Sequence, residues 1–166
     1  MKRPLAWLAT GLPAAAVLAV APVALGSPAA DAAQTVSIRT FAGKCLDVKG
    51  ASRHNDAPIV QYRCNGQNNQ RFHLRRLAHG RVQIRTFAGK CLDVRQRSNA
   101  DNATIVQYHC NGRWNQHFRL GPLHVIGPIT TFAHKCLTMK GNIPIDDIPL
   151  VQLRCSGLPT QQFTVL

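Results

Sequence analysis

The chain has 166 residues, of which 20 are Lys or Arg and seven are acidic, so its formal charge is +13. This length suits one domain preceded by a targeting segment and is too short for a multidomain enzyme. Hydrophobic residues make up 45% of the chain, which indicates a packed core and argues against disorder throughout. All the acidic residues are Asp. The absence of Glu disfavours a helix-rich fold and leaves any paired-carboxylate mechanism to Asp alone.

Residues 1–33 have the pattern of a secretory signal peptide. A basic start precedes an apolar stretch from Leu5 to Leu25, and a small, Ala-rich segment follows. Ala30-Asp31-Ala32 fits the small-x-small cleavage pattern and predicts cleavage after residue 32 or 33, while Ala24-Leu25-Gly26 also fits. An uncleaved membrane anchor is the alternative interpretation, but two prolines interrupt the apolar stretch.

Cleavage would leave a strongly basic domain at residues 34–166. This part carries 18 Lys or Arg and six Asp, hence a formal charge of +12 by the same counting. Because an exported chain meets an oxidising compartment, the six Cys predict three disulfide bonds. We therefore expect a secreted, extracellular monomer with no transmembrane segment after cleavage.

A threefold internal repeat covers the rest of the chain, at about residues 36–80, 81–125 and 126–166. The segment Val36–Cys45 recurs at Val82–Cys91 with nine of ten positions identical, and a more diverged third copy follows. In every copy two Cys lie 19 positions apart, and the copy closes on Gln-x-Phe. This periodicity indicates three copies of one structural unit.

The repeat also selects a disulfide pairing. Six cysteines allow 15 connectivities, among which sequence alone does not choose. A unit that occurs three times is expected to carry its own bridge. The predicted pairs are Cys45–Cys64, Cys91–Cys110 and Cys136–Cys155. We expect no metal and no other cofactor, because no Cys-x-x-Cys occurs and no His keeps a ligand spacing in all three copies.

Each copy has the pattern of four short strands. In the first copy, alternation of apolar and polar residues from Val36 to Arg39 predicts a half-buried strand, and Cys45–Val48 predicts the next. After a polar loop, Ile59–Cys64 predicts a third strand, and a turn at Asn65-Gly66 leads to a fourth at Arg71–Leu74. Three copies predict a twelve-stranded, all-β unit. The closing phenylalanines are assigned to its core; they are Phe72, Phe118 and Phe163.

The repeat resembles that of the ricin B-type lectin family, the carbohydrate-binding β-trefoils. The resemblance rests on Gly-Lys-Cys-Leu-Asp-Val, Val-Gln-Tyr-x-Cys-Asn-Gly and Asn-Gln-x-Phe, and it covers about residues 36–166. It implies a β-trefoil with pseudo-threefold symmetry, no enzymatic activity of its own and up to three shallow sugar pockets. The absence of any catalytic spacing among the seven His agrees with a non-enzymatic protein.

The resemblance also implies which residues contact the sugar. A pocket of the family uses an Asp after the first Cys, an aromatic residue before the second, and an Asn-Gln pair near the end of the repeat. The first repeat offers Asp47, Tyr62, Asn69 and Gln70, and the second offers Asp93, Tyr108, Asn115 and Gln116. In the third repeat the corresponding residues are Thr138, Leu153, Thr160 and Gln161, so that pocket is expected to be degenerate.

These residue types suit carbohydrate, although each also has a structural alternative. An aromatic ring covers the apolar face of a sugar, an ionised Asp accepts from two adjacent hydroxyls, and Asn both donates and accepts. The alternatives are a turn role for Asp, a packing role for Tyr and a structural hydrogen bond for Gln, which persists in the third copy. Trp114, just after an Asn-Gly turn, either packs or adds a second stacking surface.

One departure from the family concerns the Gln that usually lies four residues before the second Cys. The first two repeats have Val60 and Val106 in this place. Either one hydrogen bond to the sugar is missing, or Gln61 and Gln107 supply it.

The positive charge is not explained by sugar pockets. A cationic surface attracts anionic polymers and membranes, so the alternative function is a trefoil that binds sulfated glycans, wall glycans or nucleic acid through Arg and Lys. The densest runs are Arg75-Arg76 and Arg95-Gln96-Arg97. A secreted inhibitor or toxin component, acting through loops such as Ser52–Ala57 and Ile143–Ile148, is a third hypothesis with only the fold in its favour.

Overall fold

The computed structural model describes residues 34–166, which form short β-strands, single 3-10 turns and loops. The strands are β1 (Gln34–Val36), β2 (Ile38–Thr40), β3 (Cys45–Val48), β4 (Ala57–Tyr62), β5 (Phe72–Arg76), β6 (Val82–Thr86), β7 (Cys91–Val94), β8 (Ala103–Tyr108), β9 (Arg119–Leu120), β10 (Ile126–Gly127), β11 (Ile129–Thr130), β12 (Cys136–Met139), β13 (Ile148–Leu153) and β14 (Phe163–Val165). The 3-10 turns are Lys49–Ala51, Asn68–Gln70, Ala78–Gly80, Arg95–Arg97, Trp114–Gln116, Lys140–Asn142 and Pro159–Gln161. The predicted signal peptide, residues 1–33, lies outside the described residues. Within residues 34–166, no helix has the length and apolar character needed to cross a membrane.

Each repeat has four strand positions, as predicted, but the first position is divided in repeats one and three. β1 pairs with β5 and β2 with β14, and the change of partner falls at Ser37. Likewise β10 pairs with β14 and β11 with β9, and Pro128 between them has no N–H to offer a ladder. The expected twelve strands are therefore fourteen. The third strand of repeat one also ends at Tyr62, so Cys64 lies beyond it.

Three hairpins, β3–β4, β7–β8 and β12–β13, meet around the pseudo-threefold axis. β4 pairs with β8, β8 with β13 and β13 with β4. The start of each long strand lies against the end of another, with Ala57 opposite Gln107, Ala103 opposite Gln152 and Ile148 opposite Gln61. As a result, the loop that precedes each long strand packs against another repeat.

Equivalent residues of the three repeats form the core, because the same strand positions face the axis in each copy. Examples of such sets, with large and fully buried side chains, are Ile38, Ile84 and Ile129; Leu46, Leu92 and Leu137; and Phe72, Phe118 and Phe163. Burial of one such side chain contributes about 1.5–3 kcal/mol to folding. The prediction that the closing phenylalanines belong to the core is thus confirmed.

The molecule is an all-β β-trefoil with one disulfide bond in each repeat. The bonds are Cys45–Cys64, Cys91–Cys110 and Cys136–Cys155, as predicted. Each joins the start of the second strand of a repeat to the segment that follows the third strand. The bridges therefore fix the hairpins that carry the predicted site residues. Disulfides of this kind are typical of proteins from oxidising compartments.

Candidate functional site

The carboxylate of Asp47 is buried in repeat one and accepts hydrogen bonds from two side-chain amides. β3 carries Asp47, and the 3-10 turn Asn68–Gln70 brings both amides to it. Asn69 Nδ2 donates to Oδ1 at 2.8 Å, and Gln70 Nε2 donates to Oδ2 at 2.9 Å. Because each carboxylate oxygen has more than one acceptor position, both oxygens can still accept from a ligand.

Both N–H groups of the Gln70 side-chain amide are used within the repeat. Its Nε2 donates to Asp47 and also to the carbonyl of Arg63, at 2.9 Å each. Its Oε1 accepts from the backbone N–H of Asn65 at 2.9 Å. The side chain therefore closes the segment between the third strand and the 3-10 turn and orients the carboxylate.

Repeat two has a similar arrangement around Asp93, except that its Asn donates to the backbone and not to the carboxylate. Gln116 Nε2 donates to Asp93 Oδ2 at 2.9 Å, and Asn115 Nδ2 donates to the carbonyl of Val94 at 3.2 Å. The Oδ1 atom of Asn115 is buried and has no hydrogen-bond partner in the described structure. A buried acceptor is normally paired, and Asn115 lines the second pocket, so this atom is a candidate partner of a ligand hydroxyl.

Both carboxylates face surface pockets. The first pocket has a volume of about 590 Å³ and is lined by Asp47, Tyr62 and Asn69 among other residues. The second, of about 280 Å³, is lined by Asp93, Tyr108 and Asn115 among others. The structure therefore brings together the predicted Asp, Tyr and Asn of each repeat, whereas Gln70 and Gln116 lie behind the carboxylates and do not line the pockets.

Each pocket also receives an Asp from a neighbouring repeat, which the sequence argument missed. Asp147 lines the first pocket and lies 3.6 Å from Lys49 Nζ. Asp56 lines the second and lies 3.3 Å from Arg95 Nε. Both Asp residues have a positive φ, as does Asn102 of repeat two. An Asp or Asn directly precedes the third strand of every repeat, and this recurrence in the sequence could have singled out these residues.

Burial sets the ionisation of the two carboxylates. Desolvation raises the pKa of Asp47 above its ordinary value of 3.8, against the lowering effect of the Gln70 and Asn69 amides. Desolvation also raises the pKa of Asp93, against the lowering effect of Gln116. Acidic neighbours add to the rise in both pockets. In its ionised form, each group is a poorly solvated acceptor that gains from a hydroxyl donor.

The third repeat keeps the frame and lacks the carboxylate. Gln161 Nε2 donates to Thr138 Oγ1 at 3.2 Å and to the carbonyl of Arg154 at 2.9 Å, while its Oε1 accepts from the N–H of Ser156 at 2.7 Å. Thr160 and Leu153 stand where the other repeats have Asn and Tyr. The Gln therefore makes equivalent hydrogen bonds to the neighbouring backbone in all three repeats.

The alternative in which Gln61 and Gln107 act in the pockets does not fit the structure. Gln61 Nε2 donates to the carbonyls of Ile143 and Ile145, at 2.8 Å each, and the side chain is fully buried. Gln107 holds the 52–54 segment in the same way. These glutamines are clamps between repeats, and they hold the two loops named in the inhibitor hypothesis through loop carbonyls.

A valine lies opposite each carboxylate on the adjoining strand. Val60 pairs with Asp47, and Val106 pairs with Asp93. Directly opposed residues share one face of a sheet, so each valine borders the carboxylate with an apolar surface. The hydrogen bond that a Gln would offer there is absent in these two repeats.

Trp114 lies outside both pockets. Its ring meets Phe132 of repeat three edge-on, with centroids 4.0 Å apart, and its side chain is 46% exposed. The residue therefore packs and also presents an aromatic surface. Within residues 34–166, no group of three His, Cys or Asp side chains is placed to hold a metal ion.

The comparison with known structures places the chain among trefoils from several sources. A designed 3-fold symmetric protein, ThreeFoil, is 29% identical with a TM-score of 0.76, over 80% of this chain and 97% of that one. The exo-β-1,3-galactanase 1,3Gal43A from Clostridium thermocellum is 26% identical with a TM-score of 0.77, over 82% of this chain and 30% of that one. This chain thus matches less than a third of the galactanase.

Lectin structures share the fold at lower identity. The C-half of the earthworm R-type lectin, solved in complex with GalNAc, is 14% identical with a TM-score of 0.63, over 79% of this chain and 96% of that one. A search of curated proteins gives no significant match. The Ricin-type beta-trefoil lectin domain matches residues 34–163. Domains of this family bind carbohydrate and are generally without catalytic activity. The chain belongs to the ricin-type β-trefoil lectin family.

Proposed function

We propose that this protein is a secreted, non-enzymatic, monomeric lectin with two sugar pockets, one in repeat one and one in repeat two. The observation that carries the proposal is the pair of buried, amide-bound carboxylates, Asp47 and Asp93, each in a pocket with a Tyr. The repeat that lacks the Asp also lacks the Tyr and the Asn. The loss of all three together supports a shared ligand more than three separate structural roles.

The chemistry of each pocket divides between a carboxylate and an aromatic ring. Asp47 or Asp93 accepts from two adjacent hydroxyls of one sugar through charge-assisted hydrogen bonds. Tyr62 or Tyr108 covers the apolar C–H face of the same ring. Asn115 Oδ1, buried without a partner, accepts a further hydroxyl in the second pocket. Gln70 and Gln116 position the carboxylates rather than contacting sugar.

A galactose-type sugar or a polysaccharide that contains it is the proposed ligand. Two related structures support this class, since one is an exo-β-1,3-galactanase and another is a lectin in complex with GalNAc. A shallow pocket makes few contacts, so the affinity of one site is expected to be weak. Two pockets on one chain raise the avidity for a polymer or a cell surface without any new contact.

The alternative function, binding of anionic polymers through the cationic surface, is supported by the formal charge of +13. Sulfated or wall glycans and nucleic acid are the polymers that such a surface attracts. Salt distinguishes the two functions, because the Debye length falls from about 8 Å at 0.15 M to about 3 Å at 1 M. Recognition by a buried carboxylate and an aromatic ring is much less screened.

A glycan array at these two salt concentrations tests the proposal, with the Asp47→Thr/Asp93→Thr variant beside the unmodified protein. Thr reproduces the natural state of repeat three, so the variant removes the carboxylates and keeps an acceptor for each Gln. We expect galactose-type binding that survives high salt and disappears in the variant. Binding to acidic polymers alone, lost in salt and unchanged in the variant, would overturn the two-pocket lectin and favour the alternative.

A further inference from the structure

A groove between repeats two and three carries binding chemistry that the two pockets do not use. Its volume is about 680 Å³. Its wall includes Trp114, His117, Asn99, Arg81, Arg119 and the turn 131–134 of repeat three. The groove adjoins the second pocket, because Asn99 follows Arg97 of that pocket by two residues and Trp114 follows Arg113, but no residue lines both.

Trp114 supplies a fixed aromatic surface at this groove. Phe132 meets the indole at an interplanar angle of 67° and holds it in place, while nearly half of the side chain remains exposed. An exposed aromatic ring held by packing loses little conformational entropy when it binds a ligand. It therefore suits the apolar face of a sugar ring.

Two buried polar atoms near the groove have no partner in the described structure. They are Nδ1 of His117 and Oγ1 of Thr131. Burial and the neighbouring Arg81 lower the pKa of His117 from 6.5, so its ring is neutral at pH 7. Buried polar atoms are normally paired, and both residues line the groove, so these two atoms are the candidate partners of ligand hydroxyls.

The groove is lined by two Arg and, unlike the two pockets, by no carboxylate. A backbone bridge between Val82 and Phe118 brings Arg81 close to His117 and Arg119. The guanidinium of Arg119 donates from Nη1 to the carbonyl of His79 at 2.9 Å, which anchors it and leaves its other nitrogens free to donate. No carboxylate lies among the residues that line the groove, whereas each pocket contains two.

The equivalent places in the other repeats are built differently. Asn68 and Pro159 stand where repeat two has Trp114. Between repeats one and two, the guanidinium of Arg53 lies 5.0 Å from the centre of the Phe87 ring. The aromatic surface is therefore particular to this one junction, and it does not follow from the threefold symmetry.

We propose that this groove is an additional binding site for a pyranose that carries a carboxylate, such as a hexuronate unit of an acidic glycan. The indole of Trp114 covers the sugar ring. Arg81 and Arg119 bind the carboxylate, for which guanidinium geometry is well suited. His117 and Thr131 bind the hydroxyls. The site is separate from the proposed galactose-type pockets and gives part of the positive charge a specific ligand.

Tryptophan fluorescence provides the test, because the chain has only two Trp, at positions 7 and 114. In the full chain with Trp7→Phe, Trp114 is the sole reporter. The probes are the trimer of galacturonic acid and its methyl ester, which has the same rings without the charge. We expect saturable changes in emission, with the ester binding about tenfold more weakly, because the charge-assisted hydrogen bonds are lost. Equal binding of the two probes would overturn the proposal.

Variants separate the groove from the pockets. Calorimetry should show that Trp114→Ala and Arg81→Gln each weaken binding of the acidic trimer about tenfold. Asp47→Thr/Asp93→Thr should leave it unchanged. Loss of trimer binding in the pocket variant, or unchanged binding in Arg81→Gln, would refute the groove as its site. If Trp114→Ala fails to fold, as judged by circular dichroism, Arg81→Gln decides alone.

Discussion

Gln161 donates from Nε2 to Oγ1 of Thr138 at 3.2 Å, in the one repeat that lacks a carboxylate. In repeat one the equivalent Gln70 donates to Asp47 at 2.9 Å. The glutamine bonds to neighbouring backbone in both cases and closes the end of the repeat. The fold therefore requires an acceptor at this position but not an acid, which allows the proposed pockets to be tested without unfolding the protein.

The Asp47→Thr/Asp93→Thr variant should keep the stability of the unmodified protein to within about 1 kcal/mol, because Thr still accepts from each Gln amide. The matched Asp47→Ala/Asp93→Ala variant leaves both amides without that acceptor and should cost about 1–3 kcal/mol per site. Urea denaturation measures both. Equal stability of the Thr and Ala variants would show that the hydrogen bond from Gln contributes nothing.

Restoring the missing side chains in repeat three should create a third pocket. The triple variant Thr138→Asp/Leu153→Tyr/Thr160→Asn supplies the carboxylate, the ring and the amide that repeats one and two share. We expect the number of galactose-type ligands bound per chain to rise from two to three, as measured by calorimetry at saturating ligand. The single variant Thr138→Asp is the control and should still bind two. A folded triple variant that binds two would show that other wall residues are required.

Acidification should weaken sugar binding at a higher pH than an ordinary Asp would predict. Burial raises the pKa of Asp47 and Asp93, and Asp147 and Asp56 raise them further. A protonated carboxyl loses the charge-assisted bonds, so affinity should fall about tenfold per pH unit once the pH is below the pKa. Calorimetric titrations between pH 7 and pH 3.5 measure this fall. Constant affinity down to the ordinary value of 3.8 would contradict the raised pKa.

Acidification should change the stability of the protein in the direction opposite to its change in sugar affinity, through the same two groups, Asp47 and Asp93. Between the unfolded pKa and the raised folded pKa, the folded state binds more protons than the unfolded state. The contribution of Asp47 and Asp93 to the free energy of unfolding therefore increases as pH falls through this window and is lost as pH rises above it. Relative to Asp47→Thr/Asp93→Thr, the unmodified protein should gain stability on acidification while it loses sugar. If the free energy of unfolding had the same pH dependence in the unmodified protein and in the variant, this expectation would be contradicted.

The glutamine clamps should contribute strongly to stability. Gln107 Nε2 donates to the carbonyls of Ser52 and His54, and its Oε1 accepts from Thr86. Gln107→Ala removes three buried hydrogen bonds and should lower the free energy of unfolding by about 2–4 kcal/mol. Urea denaturation measures the loss. The exposed Gln67→Ala is the control and should change it by less than about 0.5 kcal/mol. A clamp variant as stable as this control would show that the loop is held by other contacts.

Repetition made the fold and most of each pocket predictable. Cys45, Asp47 and Tyr62 lie at fixed positions in one repeat, and strand periodicity places the pocket residues of β3 and β4 together. Three in-phase copies also reduced the possible disulfide pairings to one symmetric set. These relationships lie within about 40 residues of one another in the chain, so they can be predicted without knowing how the repeats pack.

Contacts between repeats could not be predicted in the same way. The sequence by itself determined a basic, disulfide-bonded, threefold β unit with carboxylates in two copies. Only the tertiary structure decided that Asp147 of repeat three lies at the pocket of repeat one, that Gln61 clamps a loop, and that Trp114 packs against Phe132 in the wall of a groove. The physical reason is that the three hairpins pair with one another. This pairing brings together residues that are far apart in the chain, such as Gln61 and the loop it holds, which are about 80 positions apart. No periodicity along the chain encodes that pairing.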